Sequence, residues 1–197
     1  MSPRSILLAP LTVALLSIAP TAIEAAEYTV DNAHSAVTFK ILHLKTAYFL
    51  GRFGQVSGKI DFDPKKLGDS RVQVEVDATT LNTFNNDRDK HIKSPEFLNV
   101  EKHQKITFEA SGFKAGKEKD TYQVKGKLTF LGVSKDLNVV VKKTGEGSDP
   151  WGSERIGFWT TFKIKRSDFG MGAMLDLLGD EVELTVSLES VKKKEEK

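Results

Sequence analysis

From Ala36 to Glu189 the chain alternates apolar and polar residues with a period of two and breaks that rhythm once, in a polar stretch at residues 84–103. Between Gly54 and Phe62, Val56, Ile60 and Phe62 point one way, while Gln55, Ser57, Lys59 and Asp61 point the other. Val72, Val74 and Val76 oppose Arg71, Gln73, Glu75 and Asp77; Ile106 and Phe108 oppose Thr107 and Glu109. Tyr122, Val124, Leu128 and Phe130 form another apolar face, as do Ile156, Phe158, Phe162 and Ile164, and Val182, Leu184, Val186 and Leu188. Such patterns predict antiparallel strands wetted on one side only. With a first strand through Val37, Phe39 and Ile41, and one through Leu137, Val139 and Val141, the count is eight.

Turn chemistry separates the strands at Asp63-Pro64, Gly68-Asp69, residues 114–116, Leu131-Gly132 and residues 145–152. No amphipathic helix lies between strands, so βαβ units are not expected. Eight antiparallel strands form a sandwich or close into a barrel, and a barrel of that size either packs shut or holds one slender ligand. Gly58, Ala110, Gly112, Gly126 and Thr160 fall on inward faces. One small residue relieves crowding where a sheet bends; several together predict a tunnel. Tilted strands would make it on the order of 25 Å long, a shape for an acyl or isoprenoid chain.

The polar island carries its own signals, and a short helical insertion is predicted near residues 86–98. Asn85 or Asn86 can cap a first helix with Asp87 and Asp89 in its first turn, and Ser94-Pro95-Glu96 can start a second that carries Phe97 and Leu98. Arg88 and His91 share one face, and Asp89 can pair with Lys93. Two readings stand side by side: a solvated crossover, or a mouth element whose Arg88 and His91 meet a polar head group. Residues 169–179 place Met171 and Met174 among glycines and leucines, as an apolar flap or plug over one end.

Composition narrows the function. Residues 1–26 have the three-part form of a secretory signal, which places the mature chain in the periplasm. The remainder suits one domain, 27–190, followed by a charged flexible tail at 191–197. The absence of cysteine excludes disulfides, thiol catalysis and cysteine metal sites. A net charge of +2, from 29 basic against 27 acidic residues, argues against nucleic acid. The four histidines (34, 43, 91 and 103) lack metal-ligand spacing, and no nucleophile elbow or paired acids stand out, so neither a metal, a cofactor nor an enzyme is expected.

The ordered motifs Asp31-x-x-His34-Ser35-x-Val37-x-Phe39, His43-Leu44, Gly51-Arg52-Phe53, Arg88-Asp89-x-His91-x-x-Ser94-x-x-Phe97-Leu98, Gly126-x-Leu128-Thr129-x-x-Gly132-Val133, Asp149-Pro150-Trp151-Gly152 and Asp168-Phe169-Gly170-Met171 resemble the YceI-like family over residues 27–190. Gln104 and Asp136 stand where that family often has proline. The resemblance implies an exported, all-β, eight-stranded antiparallel lipocalin-like barrel that carries a long amphiphile, typically a polyisoprenoid such as a quinone or prenyl phosphate.

The combined expectation is a periplasmic carrier or store for such a lipid, with Val37, Phe39, Ile41, Phe53, Phe108, Ala110, Gly126, Phe130, Phe158, Phe162, Met171, Met174 and Leu177 along the lumen. His34, Arg88, His91 and Arg155 are the head-group candidates. Expected partners are the isoprenoid lipid, a second copy of the chain through a barrel face, and transient contact with a membrane or membrane protein during loading. The rivals are a scavenger of toxic hydrophobes, an isoprenoid-modifying enzyme using His91 or His34 as acid or base, and a stress-induced structural protein with a filled core.

Overall fold

A computed structural model describes residues 25–193. The expected signal sequence falls almost wholly outside them. Eight antiparallel strands close a barrel: β1 (Ala26–Val30), β4 (Val56–Phe62), β5 (Arg71–Asp77), β7 (Lys105–Ser111), β9 (Thr121–Phe130), β10 (Val133–Ser148), β11 (Glu154–Lys165) and β12 (Leu178–Lys192). Each pairs with the next, and β12 returns to β1 through Tyr28↔Lys192 and Val30↔Ser190. The closed eight-stranded barrel agrees with the expectation. Two others, β2 (Ala36–His43) and β3 (Ala47–Phe53), extend the β1–β4 pair end to end, so that β12 pairs with β1 at one end and with β2 along the rest of its length. Seven of the barrel's strands are ones the alternation names; the eighth is β1, which the alternation does not show, while the predicted first strand through Val37, Phe39 and Ile41 is β2. Short β6 (Leu81–Asn82) joins β3, and β8 (Lys114–Ala115) joins β9.

Local chemistry explains the connections. Leu131 and Gly132 both have positive φ (51° and 75°), as a tight twisted hairpin between β9 and β10 requires. The helix α1 (Asn86–Lys93) begins where Asn85 caps the backbone N–H of Arg88. The second helical segment predicted from Ser94 is a run of turns, Asp89 bonds to Thr83 instead of pairing with Lys93, and β12 continues two residues into the expected tail.

On its edge away from β2, β3 pairs only through Arg52 and Phe53 with β6; α1 and the turns after it cover the rest of that side. Ile92, Phe97 and Leu98 turn inward there, so the island patches wall and end together. The short 3-10 segment Arg166–Phe169 and the residues up to Leu178 complete this α1 end. The far end holds the starts of β1, β5, β9 and β11.

Candidate functional site

Along the middle of the barrel the inward faces are apolar on every strand, yet that middle is not filled. Two spaces, of about 120 and 110 Å³, lie along the axis and share Ile106, Leu128 and Leu184 as a waist. Mid-barrel side chains such as Phe39, Val74, Phe108 and Phe162 pack on the core but stay only partly buried.

Val37, Phe108, Phe158 and Phe162 border the space toward the far end; Phe39, Ile41, Phe53, Phe130 and Met171 border the one toward α1. Ala110 and Gly126 border neither. The Phe108 ring lies over Gly126, so this glycine makes room for an aromatic side chain and not for a tunnel. Gly51 is covered by Phe39 in the same way. Met174 and Leu177 are 40% and 42% exposed and face away from the lumen, because the chain turns outward where Leu177 and Leu178 donate to the Met174 carbonyl.

That turn is held by a residue the alternation could not reveal. Arg166 is 2% exposed and borders the α1-side space. Its guanidinium donates to four carbonyls: Nε to Gly179 (2.9 Å), Nη1 to Met171 (3.1 Å) and Ala173 (2.6 Å), and Nη2 to Leu178 (3.1 Å). Burial lowers its pKa, and Asp180 opposes that shift.

The head-group candidates divide between two clusters. On the α1 side, Arg88 donates Nε to Thr83 Oγ1 (2.8 Å) and Nη2 to the Thr83 carbonyl (2.6 Å), and lies over the Phe49 ring. Asp89 accepts from the same threonine's backbone N–H and hydroxyl, so α1 is latched to the wall. His91 is exposed, 2.7 Å from Glu96, with its ring edge-on to Phe97. Toward the far end, Arg155 donates to Asp31 (2.8 Å), Asp149 (2.9 Å) and Glu189 (2.6 Å), and His34 Nδ1 lies 2.8 Å from Asp31. The Arg155 hydrogen bond, helped by His34, lowers the Asp31 pKa to about 2. Asp31, His34 and Glu189 could converge on a cation, but Arg155 already binds both carboxylates. All four candidates are thus engaged with protein partners, and none borders either space.

The comparisons with known proteins agree with this architecture. The YceI-like domain model matches residues 28–190. Protein YceI of Salmonella newport (strain SL254) is 39% identical over 172 residues, covering 86% of this chain and 89% of the relative. Burkholderia cenocepacia BcnA superposes with a TM-score of 0.74 at 23% identity, covering 81% of this chain and 98% of its own. A polyisoprenoid binding domain from Saccharophagus degradans, implicated in plant cell wall breakdown, gives 0.66 at 18%, with 84% and 98% covered. A family match across the whole barrel, joined to a relative of that identity, means that this chain belongs to the YceI-like family.

Proposed function

We propose that the barrel binds one long-chain amphiphile of the polyisoprenoid type in its two joined spaces and serves in the periplasm as carrier or store. The observation that carries this reading is the apolar middle of the interior, left unfilled at its centre. Apolar void costs about 24 cal/mol per Å³, so spaces of this size would cost on the order of 5 kcal/mol if nothing occupied them. Interiors otherwise pack to crystal-like density. A flexible hydrocarbon chain threaded past the Ile106–Leu128–Leu184 waist offsets that cost, at about 0.8 kcal/mol per buried methylene. A compact polar metabolite gains nothing there. The polyisoprenoid named for the Saccharophagus degradans neighbour is compatible with such an interior.

His34 and His91 sit outside the lumen, each beside a carboxylate, where neither reaches a chain held within. This arrangement favours binding over acid–base chemistry on the lipid. The test is uptake by delipidated protein of a long-chain prenol, a fatty acid and an unrelated polycyclic hydrocarbon, each competing against an apolar fluorophore. A dedicated carrier takes the prenol one to one and prefers it by at least tenfold. Equal uptake of all three would make the protein a scavenger, and uptake of none would refute a ligand-binding interior.

A further inference from the structure

The two ends of the lumen differ in a way that assigns the ligand's orientation. At the α1 end the inner surface closes with Ile92, Phe97, Leu98 and Met171, and the one charged side chain that borders this space, Arg166, spends its donors on four backbone carbonyls. At the far end the strand register brings polar side chains to the inner face of four strands, β1, β9, β10 and β12. Tyr28 lies opposite Ile60, a wall residue, and opposite Lys192. Tyr122 lies opposite Val141, also a wall residue, with its ring 5.2 Å from Phe62. A bulge between Lys143 and Gly145 sets Lys143 opposite Phe158 and Glu146 opposite Ile156, both inward positions. Ser190 lies opposite Val30 and Ile156, between the wall residue Leu188 and Lys192.

Three hydroxyls in this belt lack partners. Tyr122 is only 8% exposed, and neither its hydroxyl nor that of Tyr28 has a hydrogen-bond partner among the described residues. Ser190 is fully buried, and its Oγ is the one buried side-chain polar atom among the described residues without a partner. A buried hydroxyl without a partner, as at Ser190, is costly and calls for a reason, and the two tyrosine hydroxyls beside it have no protein partner to give up. The charged groups around them are already matched: Lys143 lies 3.3 Å from Glu146 and Lys192 lies 2.5 Å from Glu154, while Asp120 adds one further negative charge beside Tyr122. A phosphate would therefore meet three carboxylates against two lysines that are already paired. A neutral oxygen would meet free O–H donors.

Accepting the interior as a lipid site, we infer that Tyr122, Tyr28 and Ser190 form a head-group subsite at the far end, built for the neutral carbonyl or hydroxyl oxygen of the amphiphile, with its apolar tail directed toward α1. Arg88 and His91 on the α1 side then take no part in holding the ligand.

The experiment compares solanesol, solanesyl phosphate and squalene on wild-type protein and on Tyr122→Phe, Tyr28→Phe and Ser190→Ala. Squalene has the isoprenoid chain and no oxygen, so it reports lumen integrity and folding in every variant. Each lost hydrogen bond should weaken solanesol about two- to tenfold and leave squalene unchanged, and wild type should prefer solanesol to its phosphate. Solanesol affinity unchanged in all three variants, with squalene still bound, would overturn the subsite. So would tighter binding of the phosphate by wild type. If wild type takes up none of the three, the lipid-binding reading itself fails, a result separable from both.

Discussion

Replacing Arg166 by methionine should loosen the whole α1-end flap. Methionine keeps the buried apolar stem but removes four hydrogen bonds, leaving the carbonyls of Met171, Ala173, Leu178 and Gly179 without their donor. Met171 is buried and the others are half-buried or near it, so water can rescue only some of them. At about 1 kcal/mol per bond, with more where desolvation persists, the loss comes to about 3–5 kcal/mol. Relief of the buried, unpaired charge returns a part of that. For a chain of this size such a loss lowers the melting temperature by on the order of 10 °C. The assay is urea unfolding together with native-state hydrogen exchange. Exchange should quicken first at the amides of Met171 and Leu178, which bond within the flap, before the barrel strands respond. Arg166→Lys, with three donors and a shorter reach, should recover less than half of the loss. A loss below 1 kcal/mol, or equal acceleration everywhere, would refute the assignment of Arg166 as the tie that closes this end.

Other outcomes follow from the same geometry. Leu184→Trp, at the waist shared by both spaces, should fill the passage and reduce long-chain binding at least tenfold while short apolar probes still enter; undiminished binding would place the chain elsewhere. Gly126→Phe is not a clean plug, because even a Cβ there meets the Glu109 carbonyl and the Phe108 ring, so Gly126→Ala alone should cost about 1–3 kcal/mol in urea unfolding. Thr83→Val keeps the shape but strips the hydroxyl shared by Arg88 and Asp89; it should destabilise the protein by about 1–2 kcal/mol and increase proteolysis within residues 84–103. Asp31 is held well below 3.8, at about 2, so its contribution to stability is full above that unfolded value and fades as the pH falls toward 2. Asp31→Asn should therefore be less stable than wild type at pH 7, with the gap closing between pH 4 and pH 2; a gap that does not change with pH would show that the ion pair is not its source.

Much of the barrel was legible in the sequence because one wet face and one dry face leave a period-two record on each strand. The elements it did not reveal have specific causes. In β3 the run Tyr48-Phe49-Leu50 is apolar on both faces, since Tyr48 and Leu50 stay exposed, so the alternation disappears. β1 begins at Ala26, among the small residues that read as a cleavage region. The inward aromatic residues on regular strands could be named in advance. Arg166 could not, because alternation assigns charge to solvent and only the folded flap supplies the carbonyls that let a guanidinium stay inside. The polar belt is hidden for another reason: it depends on the register of four strands and on the bulge after Lys143, which no single segment records. Gly126 looked like open space because the Phe108 ring that covers it comes from the neighbouring strand.

The central claim, a lipid in the lumen, is tested most directly by native mass spectrometry of the protein isolated from a periplasmic extract without detergent, followed by organic extraction and identification of what is released. The account predicts one long-chain isoprenoid with a neutral oxygen head group per chain. A uniformly empty protein that also refuses added prenol and squalene would contradict it.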